Sequence, residues 1–246
     1  MSVMLVTGGS RGIGAAVCRL AARDGWQVVV NYAGNRAAAE AVVAEVNAAG
    51  SQAVAVQGDV SSEANVAAMY DAAEAMGPVT AVINNAGIVA QVAKLADYDT
   101  ERMRRVFDVN VMGAYLVARE VARRMPTDRG GPGGVVVNTS SAAARLGSPN
   151  EFIDYAGSKG AVDTLTMGMA KELATSGVRV NGVRPGLIET DIHASAGAPD
   201  RVERLMGGVP MARAGSAEEV AETIVWLCSE KSSYLTGVLI DVTGGR

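Results

Sequence analysis

Short runs of β-branched and aliphatic residues alternate with longer segments of helical period along the whole chain, and this alternation constrains the fold more than any other feature. The runs predict seven strands: Val3–Thr7, Gln27–Asn31, Gln52–Gln57, Val79–Asn84, Gly134–Asn138, Val178–Val183 and Val238–Val242. The intervening segments predict amphipathic helices: Gly12–Asp24, Arg36–Ala49, Ser62–Met76, Glu101–Met125, Tyr155–Thr175 and Ala217–Ser229. Strands that are apolar at nearly every position are buried on both faces. We therefore predict an α/β fold, a single doubly wound domain over residues 1–246 with a seven-stranded parallel sheet between two helix layers.

Composition limits the classes of partner. Apolar residues make up 49% of the 246 residues, which allows a large core, and the net charge of −4 gives no basic surface for nucleic acid. The apolar start of the chain is ended by Gly8-Gly9. That stretch is too short to span a membrane, and it lacks the basic region of a signal peptide. We expect neither a nucleic-acid nor a membrane partner.

Cysteine and histidine usage argues against disulfides and metals. Cys18 and Cys228 both lie in apolar helical patterns, which predicts two buried thiols and fits a reducing cytoplasm. His193 is the only histidine, and without a Cys/His cluster we expect no metal site. A cytoplasmic location is the corresponding expectation.

The turn after the first strand is rich in glycine. Gly8, Gly12 and Gly14 would let the backbone turn sharply, approach a pyrophosphate and pack the next helix on the strand. The amino terminus of that helix then offers free N–H groups to phosphates. This predicts a dinucleotide cradle of the Rossmann type, formed by Gly8, Ser10, Arg11, Gly12, Ile13 and Gly14.

The end of the second strand bears on the choice of cofactor. A carboxylate there would bind the ribose 2′-hydroxyl and repel a 2′-phosphate, but the chain has Asn31-Tyr32 instead. Arg11 adds a cation, so we predict NADP(H) in preference to NAD(H), which stays possible. Arg36 is placed equally well to bind the phosphate or to be a solvated helix-start residue. Asp59, followed by Val60, is placed either to accept from the adenine amine or to cap the next turn.

Several motifs occur together in one order: Thr7-Gly8-x-x-x-Gly12-x-Gly14, Asn84-Asn85-Ala86-Gly87, Ser141, Tyr155-Ala156-Gly157-Ser158-Lys159, Arg184-Pro185-Gly186 and Asp241-Val242-Thr243-Gly244-Gly245. As a set that spans the chain, they resemble the short-chain dehydrogenase/reductase family, and most closely its 3-oxoacyl-carrier-protein reductases and sugar dehydrogenases. The resemblance implies hydride transfer between a nicotinamide cofactor and a carbonyl/alcohol pair. It also implies a homotetramer or dimer that pairs through the helices Glu101–Met125 and Tyr155–Thr175 and through the last strand.

The resemblance assigns catalytic roles. Tyr155 would be the general acid/base and Lys159 would hold the nicotinamide ribose; at positions i and i+4 of a helix they share one face. The ammonium should lower the pKa of the phenol towards the working range. Ser141 would polarise the carbonyl, with Ser140 as the rival, since the segment Ala142–Asp154 is one residue longer than is usual. Asn110 would hold a water that relays protons to Lys159; its structural alternative is to kink or cap its helix.

Further cofactor contacts follow from the resemblance. The segment after the fourth strand and the segment after the sixth should border the adenosine and the nicotinamide amide, respectively. The residues concerned are Asn85, Ala86, Gly87, Pro185, Gly186, Ile188 and Thr190.

The irregular pattern of the segment around residues 187–213 predicts a substrate lid. With Ile88–Lys94 and Ala142–Phe152 it should line a mostly apolar pocket for a small carbonyl compound. Arg145, Asn150 and His193 are its candidate polar contacts.

Two other functions compete with this interpretation. A serine hydrolase using Ser140 or Ser141 with His193 would lack the Gly-x-Ser-x-Gly elbow around the nucleophile. A catalytically silent nucleotide sensor or scaffold of the same fold is the alternative that fold alone leaves open. The presence of Tyr155, Lys159 and Ser141 favours the enzyme.

Overall fold

The strands form one sheet in the computed structural model, which describes residues 2–190 and 195–246. The sheet has the order β3-β2-β1-β4-β5-β6-β7, and every neighbouring pair is parallel. The predicted fold class is therefore confirmed. The strands are β1 Val3–Val6, β2 Gln27–Tyr32, β3 Ala53–Gln57, β4 Val79–Asn84, β5 Gly134–Thr139, β6 Val178–Pro185 and β7 Leu239–Val242.

The helices cover both faces of the sheet. They are α1 Gly12–Arg23, α2 Arg36–Ala48, α3 Glu63–Glu74, α4 Thr100–Phe107, α5 Ala114–Arg124, α6 Ala143–Leu146, α7 Ile153–Leu173, α8 Arg201–Met206 and α9 Ala217–Cys228. Short 3₁₀ turns occupy Leu95–Asp97, Thr127–Arg129, Ala174–Ser176 and Glu230–Ser232.

Two apolar cores lie on opposite faces of the sheet. Within β1, Met4 and Val6 pack into the core beneath α1, α2 and α9, whereas Val3 and Leu5 pack into the core beneath α3, α5 and α7. All four side chains are fully buried. Successive strand residues point to opposite faces, so a continuous apolar run fills both cores, as the sequence predicted.

The order of the strands reverses direction beside β1. The chain builds outward from β1 to β3, and then crosses back to place β4 on the other side of β1. Connections on the two sides of this point diverge to opposite faces, which leaves a crevice at the carboxyl ends of β1 and β4. The candidate site lies in this crevice.

The long helix predicted over Glu101–Met125 is not uniform. A π-helical turn, Asp108–Gly113, separates α4 from α5. Glycine at position 113 permits this turn to lie against the chain, because a Cβ there would come within 2.6 Å of Val60 Cγ2. The wider turn directs the buried side chain of Asn110 towards Ile88, with which it forms hydrogen bonds. Turns of this kind are frequent at functional sites.

The segment after β6 folds back over the crevice. Ile188 forms an isolated parallel bridge with Gly215, and Val92 N donates to Ala196 O at 3.1 Å. A small apolar cluster of Leu187, Val209 and Ala214 packs with residues of α8. The predicted contact of His193 falls outside the described residues.

Candidate active site

The glycine turn takes the backbone conformation that its sequence predicts. Gly8 and Gly12 have φ values of +64° and +52°, which side-chain-bearing residues rarely adopt. A Cβ on Gly14 would collide with Gly8 O and would lie 2.7 Å from Asn85 Nδ2. The turn thus brings the start of α1 directly over the end of β1, and Gly12 and Ile13 at that start line the crevice.

Asn85 joins β4 to this turn. Its side-chain Nδ2 donates to Thr7 O at 3.0 Å and to Gly8 O at 3.3 Å, and its backbone N–H donates to Thr7 Oγ1 at 2.9 Å. Ala86 N donates to the same hydroxyl. The segment Asn84-Asn85-Ala86-Gly87 therefore fixes the glycine turn as well as bordering the crevice.

Asn31 has a structural role in the same turn. Its Oδ1 accepts from Gly8 N at 3.1 Å, and its Nδ2 donates to Gly58 O at 3.0 Å and Val56 O at 3.3 Å. Because the amide is already bonded at both ends to main chain, substituting Asn31 would perturb the glycine turn. Tyr32 packs on the opposite face of β2, in the core with α1 and α2.

The adenosine end of the crevice carries one unpaired cation among the described residues that line it. Arg11 is exposed and has no ion pair within the described ranges. Arg36 lies on the surface, where its Nε pairs with Glu40 at 2.7 Å, and it does not line the crevice.

Asp59 serves as a turn cap. Its Oδ1 accepts from Ser61 N and Ser61 Oγ, while Oδ2 pairs with Arg105 Nη2 at 3.0 Å. Burial raises the pKa of this carboxyl, but the hydrogen bonds of Ser61 and the charge of Arg105 outweigh burial and lower it. Asp59 is thus an ionised group whose charge Arg105 offsets.

Lys159 lies at the chemical end, buried at the carboxyl end of β5. Its Nζ donates to Thr139 O at 2.8 Å, and its own carbonyl accepts from Ser140 Oγ at 3.1 Å. Burial lowers the pKa of Lys159 from 10.5 to about 8, against the opposing charge of Asp163. Gly87 faces the ammonium, because a Cβ there would lie 3.3 Å from Nζ.

Tyr155 lies one helical turn before Lys159 and keeps part of its surface open to the crevice. Burial raises the pKa of its phenol, and a hydrogen bond with Ser141 and the charge of Arg201 oppose this rise. The expectation that Lys159 lowers the pKa of Tyr155 is therefore wrong for this arrangement. Lys159 Nζ lies 5.7 Å from the ring centroid and is directed to the carbonyl of Thr139.

The two adjacent serines have different environments. Ser141 Oγ accepts from Ala143 N at 3.1 Å and bonds with the phenol of Tyr155. Ser140 is buried and its hydroxyl is bonded to the carbonyl of Lys159. Of the two hydroxyls, that of Ser141 adjoins the phenol.

Asn110 is bonded by its side chain to the segment after β4. Oδ1 accepts from Ile88 N at 2.8 Å, and Nδ2 donates to Ile88 O at 2.9 Å and to Ser158 Oγ at 3.1 Å. A Cβ on Gly87 would lie 3.4 Å from this Oδ1 and 3.3 Å from Lys159 Nζ, so both groups flank one glycine.

The crevice brings nearly all the predicted site residues together. It has a volume of about 1020 Å³, at or above the roughly 300–1,000 Å³ of ordinary small-molecule pockets. Gly14 and Asn110 lie behind its wall. The predicted residues that line it are Gly8, Ser10, Arg11, Gly12, Ile13, Asn31, Tyr32, Asp59, Val60, Asn85, Ala86, Gly87, Ser141, Tyr155, Lys159, Pro185, Gly186, Ile188 and Thr190.

The predicted substrate segments also meet here in part. Asn150 lines the crevice, as do Ile88, Val89 and Val92. Arg145, predicted as a polar contact, instead pairs with Asp241 at 3.1 Å and does not line it.

Sequence reasoning missed several residues of the wall. The hydroxyl of Thr139 is buried without a hydrogen-bond partner among the described residues, and it faces the crevice beside Lys159. Glu151, Arg201 and Arg204 also line it; they lie in the predicted pocket segments 142–152 and 187–213, but none of them was singled out. The charged residues are far apart in the chain, and no motif marks them.

Arg102 holds the start of α7 in place, and it was likewise not predicted. Its guanidinium pairs with the buried Asp154 at 2.8 Å, donates to Gln91 O, and lies 3.7 Å from the Tyr98 ring centroid. Asp154 in turn accepts from Tyr155 N at 2.9 Å. The start of α7, and with it Tyr155, is tied by this group to the segment after β4.

The residues of the crevice fit a dinucleotide. It extends from the glycine turn to Lys159, and Thr190 adjoins the turn, since a Cβ on Gly12 would lie in contact with Thr190 Cγ2 at 3.5 Å. The unpartnered hydroxyl of Thr139 and the ammonium of Lys159 offer polar contacts at the far end.

A family model described as short chain dehydrogenase matches residues 2–201. The chain belongs to the short-chain dehydrogenase family. An Escherichia coli (strain K12) protein named as an uncharacterized oxidoreductase is 50% identical over 247 residues, covering all of both chains. An Arabidopsis thaliana protein named NADPH-dependent aldehyde reductase-like is 36% identical, over 99% of this chain and 93% of that protein. The family resemblance seen in the sequence is thereby confirmed.

A solved structure supports the same placement of this short-chain dehydrogenase. The Brucella melitensis 3-ketoacyl-(acyl-carrier-protein) reductase, complexed with NADH, superposes with a TM-score of 0.91. It is 33% identical and covers 100% of this chain and 98% of its own. These matches establish that the family consists of oxidoreductases that use a nicotinamide cofactor.

Two other kinds of site are absent from residues 2–190 and 195–246. No helix there has the length and apolar character needed to cross a membrane. No group of three or more His, Cys, Asp or Glu side chains in those ranges could hold a metal ion. Cys18 and Cys228 are buried free thiols, as predicted.

The two serines give a matched pair of variants. Ser141→Ala removes the hydroxyl beside Tyr155, and we expect it to lower kcat by about 10²–10³-fold, as loss of one oxyanion-stabilising donor does. Ser140→Ala should lower the free energy of unfolding by about 1 kcal/mol and leave kcat within a fewfold. Steady-state kinetics and urea unfolding of both variants check this. The reverse pattern would exchange the assignments.

Proposed function

We propose that this protein is an NADP(H)-dependent oxidoreductase that interconverts a ketone or aldehyde with an alcohol, with Tyr155 as general acid/base. One observation carries the proposal. The phenol of Tyr155, the hydroxyl of Ser141 and the ammonium of Lys159 border the same crevice as the glycine turn. A bound dinucleotide would thus present its reactive end to a proton donor.

The chain's residues would hold the cofactor along the crevice. The glycine turn and the start of α1 would bind the pyrophosphate, and Lys159 with Thr139 would bind the nicotinamide ribose. Pro185, Gly186, Ile188 and Thr190 line the same crevice and would border the nicotinamide amide. The nicotinamide supplies or accepts the hydride.

Tyr155 would supply or accept the proton. Since burial raises the pKa of the phenol, it is protonated at neutral pH. That is the state needed to protonate a carbonyl oxygen, so the arrangement favours reduction near neutrality. Oxidation of the alcohol, which needs a base, should gain at higher pH.

Ser141 and Asn110 would assist the proton transfer. The hydroxyl of Ser141 would donate to the carbonyl oxygen and fix its position beside the phenol. Asn110 would hold the backbone of Ile88 and a water beside Lys159, completing a route for protons. Lys159 would then return a proton towards Tyr155.

The charges at the adenosine end favour a 2′-phosphate. Asp59 is offset by Arg105, which leaves Arg11 as an exposed cation. The segment at the end of β2 that lines the crevice, residues 31–35, contains no acid to repel a phosphate. The names of the similar proteins do not decide the cofactor, because one specifies NADPH and the other NADH.

We extend the proposal to organisation and assembly. Residues 1–246 would act as one domain, with residues around 187–213 as a substrate lid, in the cytoplasm. Copies would form a homotetramer or dimer through α4–α5 and α7. Large apolar side chains on these helices are exposed in the single chain: Met103, Phe107, Met112, Tyr115, Ile153 and Met167.

Tyr155→Phe tests the acid/base assignment. Removing the hydroxyl should lower kcat by about 10²–10⁴-fold, the usual contribution of a general acid. NADPH binding, measured by fluorescence titration, should change less than twofold because the ring is retained. Tyr234→Phe, at a fully exposed tyrosine, is the control and should match the unsubstituted enzyme. Undiminished turnover in Tyr155→Phe would refute the mechanism.

Arg11→Gln tests the phosphate site. Losing a charge-assisted contact should raise KM for NADPH by about 10–100-fold, while KM for NADH stays within twofold. Arg36→Gln is the matched control, because Arg36 pairs with Glu40 on the surface. If the Arg36 variant alone loses NADPH, the phosphate lies at Arg36; if neither does, the preference for NADP(H) is wrong.

A further inference from the structure

Two arginines of the segment that covers the crevice share one carboxylate. Arg201 Nε and Arg204 Nη2 each lie 2.8 Å from an oxygen of Glu151, which is in the loop before α7. The side chains of Arg201 and Glu151 are only 14% and 13% exposed. Arg204 also lies 3.9 Å from the exposed Asp200, whereas Glu151 is the one acidic partner of Arg201 within the described ranges; Arg201, Arg204 and Glu151 all line the crevice.

The guanidinium of Arg201 is held in place but not saturated. It lies over the ring of Phe152, 5.3 Å from the centroid, and Glu151 binds it through Nε. Within the described ranges its two terminal nitrogens have no hydrogen-bond partner. A fixed guanidinium with donors left over presents the geometry that binds a carboxylate through two parallel bonds.

Arg201 also lies within electrostatic reach of the reacting groups. Its charge is one of the two influences that lower the pKa of Tyr155. The other charged side chains that line this end are Lys159, Arg204, Glu151 and Arg246. Among the described residues that line this end, Glu151 is the one acid, and Arg201 and Arg204 both pair with it, so an anion bound to Arg201 would meet little repulsion.

We propose that the substrate is an oxo acid whose carboxylate is bound by Arg201 while its carbonyl lies between Tyr155 and Ser141. This rests on the proposed carbonyl chemistry and names its substrate class. The carboxylate would accept from the terminal nitrogens of Arg201, because Glu151 binds that guanidinium through Nε alone. A neutral ketone would leave the terminal nitrogens of Arg201 without acceptors in a mostly buried wall, which costs binding energy.

Matched acids and esters test this directly. The probes are pyruvate, acetoacetate and levulinate, each beside its ethyl ester, so that the distance from carbonyl to carboxylate varies. Binding is measured by isothermal titration calorimetry with the enzyme saturated with NADP⁺ and, separately, NAD⁺. Turnover is followed by oxidation of NADPH or NADH. We expect at least one acid to exceed its ester by about tenfold or more in affinity and in kcat/KM.

Variants distinguish two roles of Arg201: recognition of the substrate carboxylate, and a latch role in which its pair with Glu151 only holds the segment after β6 over the crevice. Arg201→Met should remove the preference for that acid while its ester changes less than twofold. Arg201→Lys should restore part of the preference, because it keeps the charge but not the planar fork. Arg23→Met is the control: Arg23 is an exposed arginine at the end of α1 that pairs with Glu222 and does not line the crevice. A latch alone would make Arg201→Met weaken acid and ester equally.

The outcomes distinguish the two proposals. Esters reduced as well as acids, with equal affinities in all three pairs, would overturn the oxo acid while the carbonyl chemistry stands. Tighter binding of an acid that Arg201→Met abolishes, without turnover of any probe, would support the anion site and contradict the proposed reaction. An unchanged acid preference in Arg201→Met would remove Arg201 from substrate recognition.

Discussion

The ammonium of Lys159 lies out of water at the end of β5, where it donates to the carbonyl of Thr139. Burying a charged lysine is unfavourable unless its donors are satisfied. Thr139, the last residue of β5, supplies the acceptor for the ammonium. Ser140 bonds to the carbonyl of Lys159, and Gly87 has no side chain that would crowd the ammonium, so the buried position is stable. Because α7 is fixed at this point, Tyr155 one turn earlier projects into the crevice opened by the reversal of strand order beside β1. The site depends on this one buried contact.

Burial acts on both titrating groups of the site, in opposite directions. It disfavours the charged form of each, so the pKa of Lys159 falls and that of Tyr155 rises. The phenol is therefore protonated at neutral pH, as the proposed general acid requires, and the pKa of the amine lies closer to neutral. Besides Lys159, Arg11 at one end of the crevice and Arg201 at the other carry positive charge. A chain of net charge −4 thus concentrates cations where a phosphate and a carboxylate would bind.

Much of this arrangement follows from local sequence patterns, and the rest does not. Apolar runs such as Val3–Val6 determine which strands are buried, and glycines at positions 8, 12 and 14 determine the turn. The direction of the pKa shift of Tyr155 was not predictable, since spacing brings Lys159 near but says nothing of desolvation. The π-helical turn at Asn110 depends on packing against Val60 and Ile88. The dual use of Asn31, and the meeting of Glu151 with Arg201, join residues far apart in the chain and appear only in three dimensions.

Measuring the pKa of Lys159 tests whether its ammonium is buried. Burial lowers the pKa of Lys159 to about 8, below the value of 10.5 for the amine in water. Between these two pH values the folded protein therefore binds fewer protons than the unfolded chain. The contribution of this group to stability should therefore increase as pH rises through that window. Nuclear magnetic resonance of protein labelled with carbon-13 at the lysine ε position gives the value, using Lys159→Arg to assign the resonance. Titration at about 8 is the result this account predicts; titration at or above 10.5 would show an ammonium in water and contradict it.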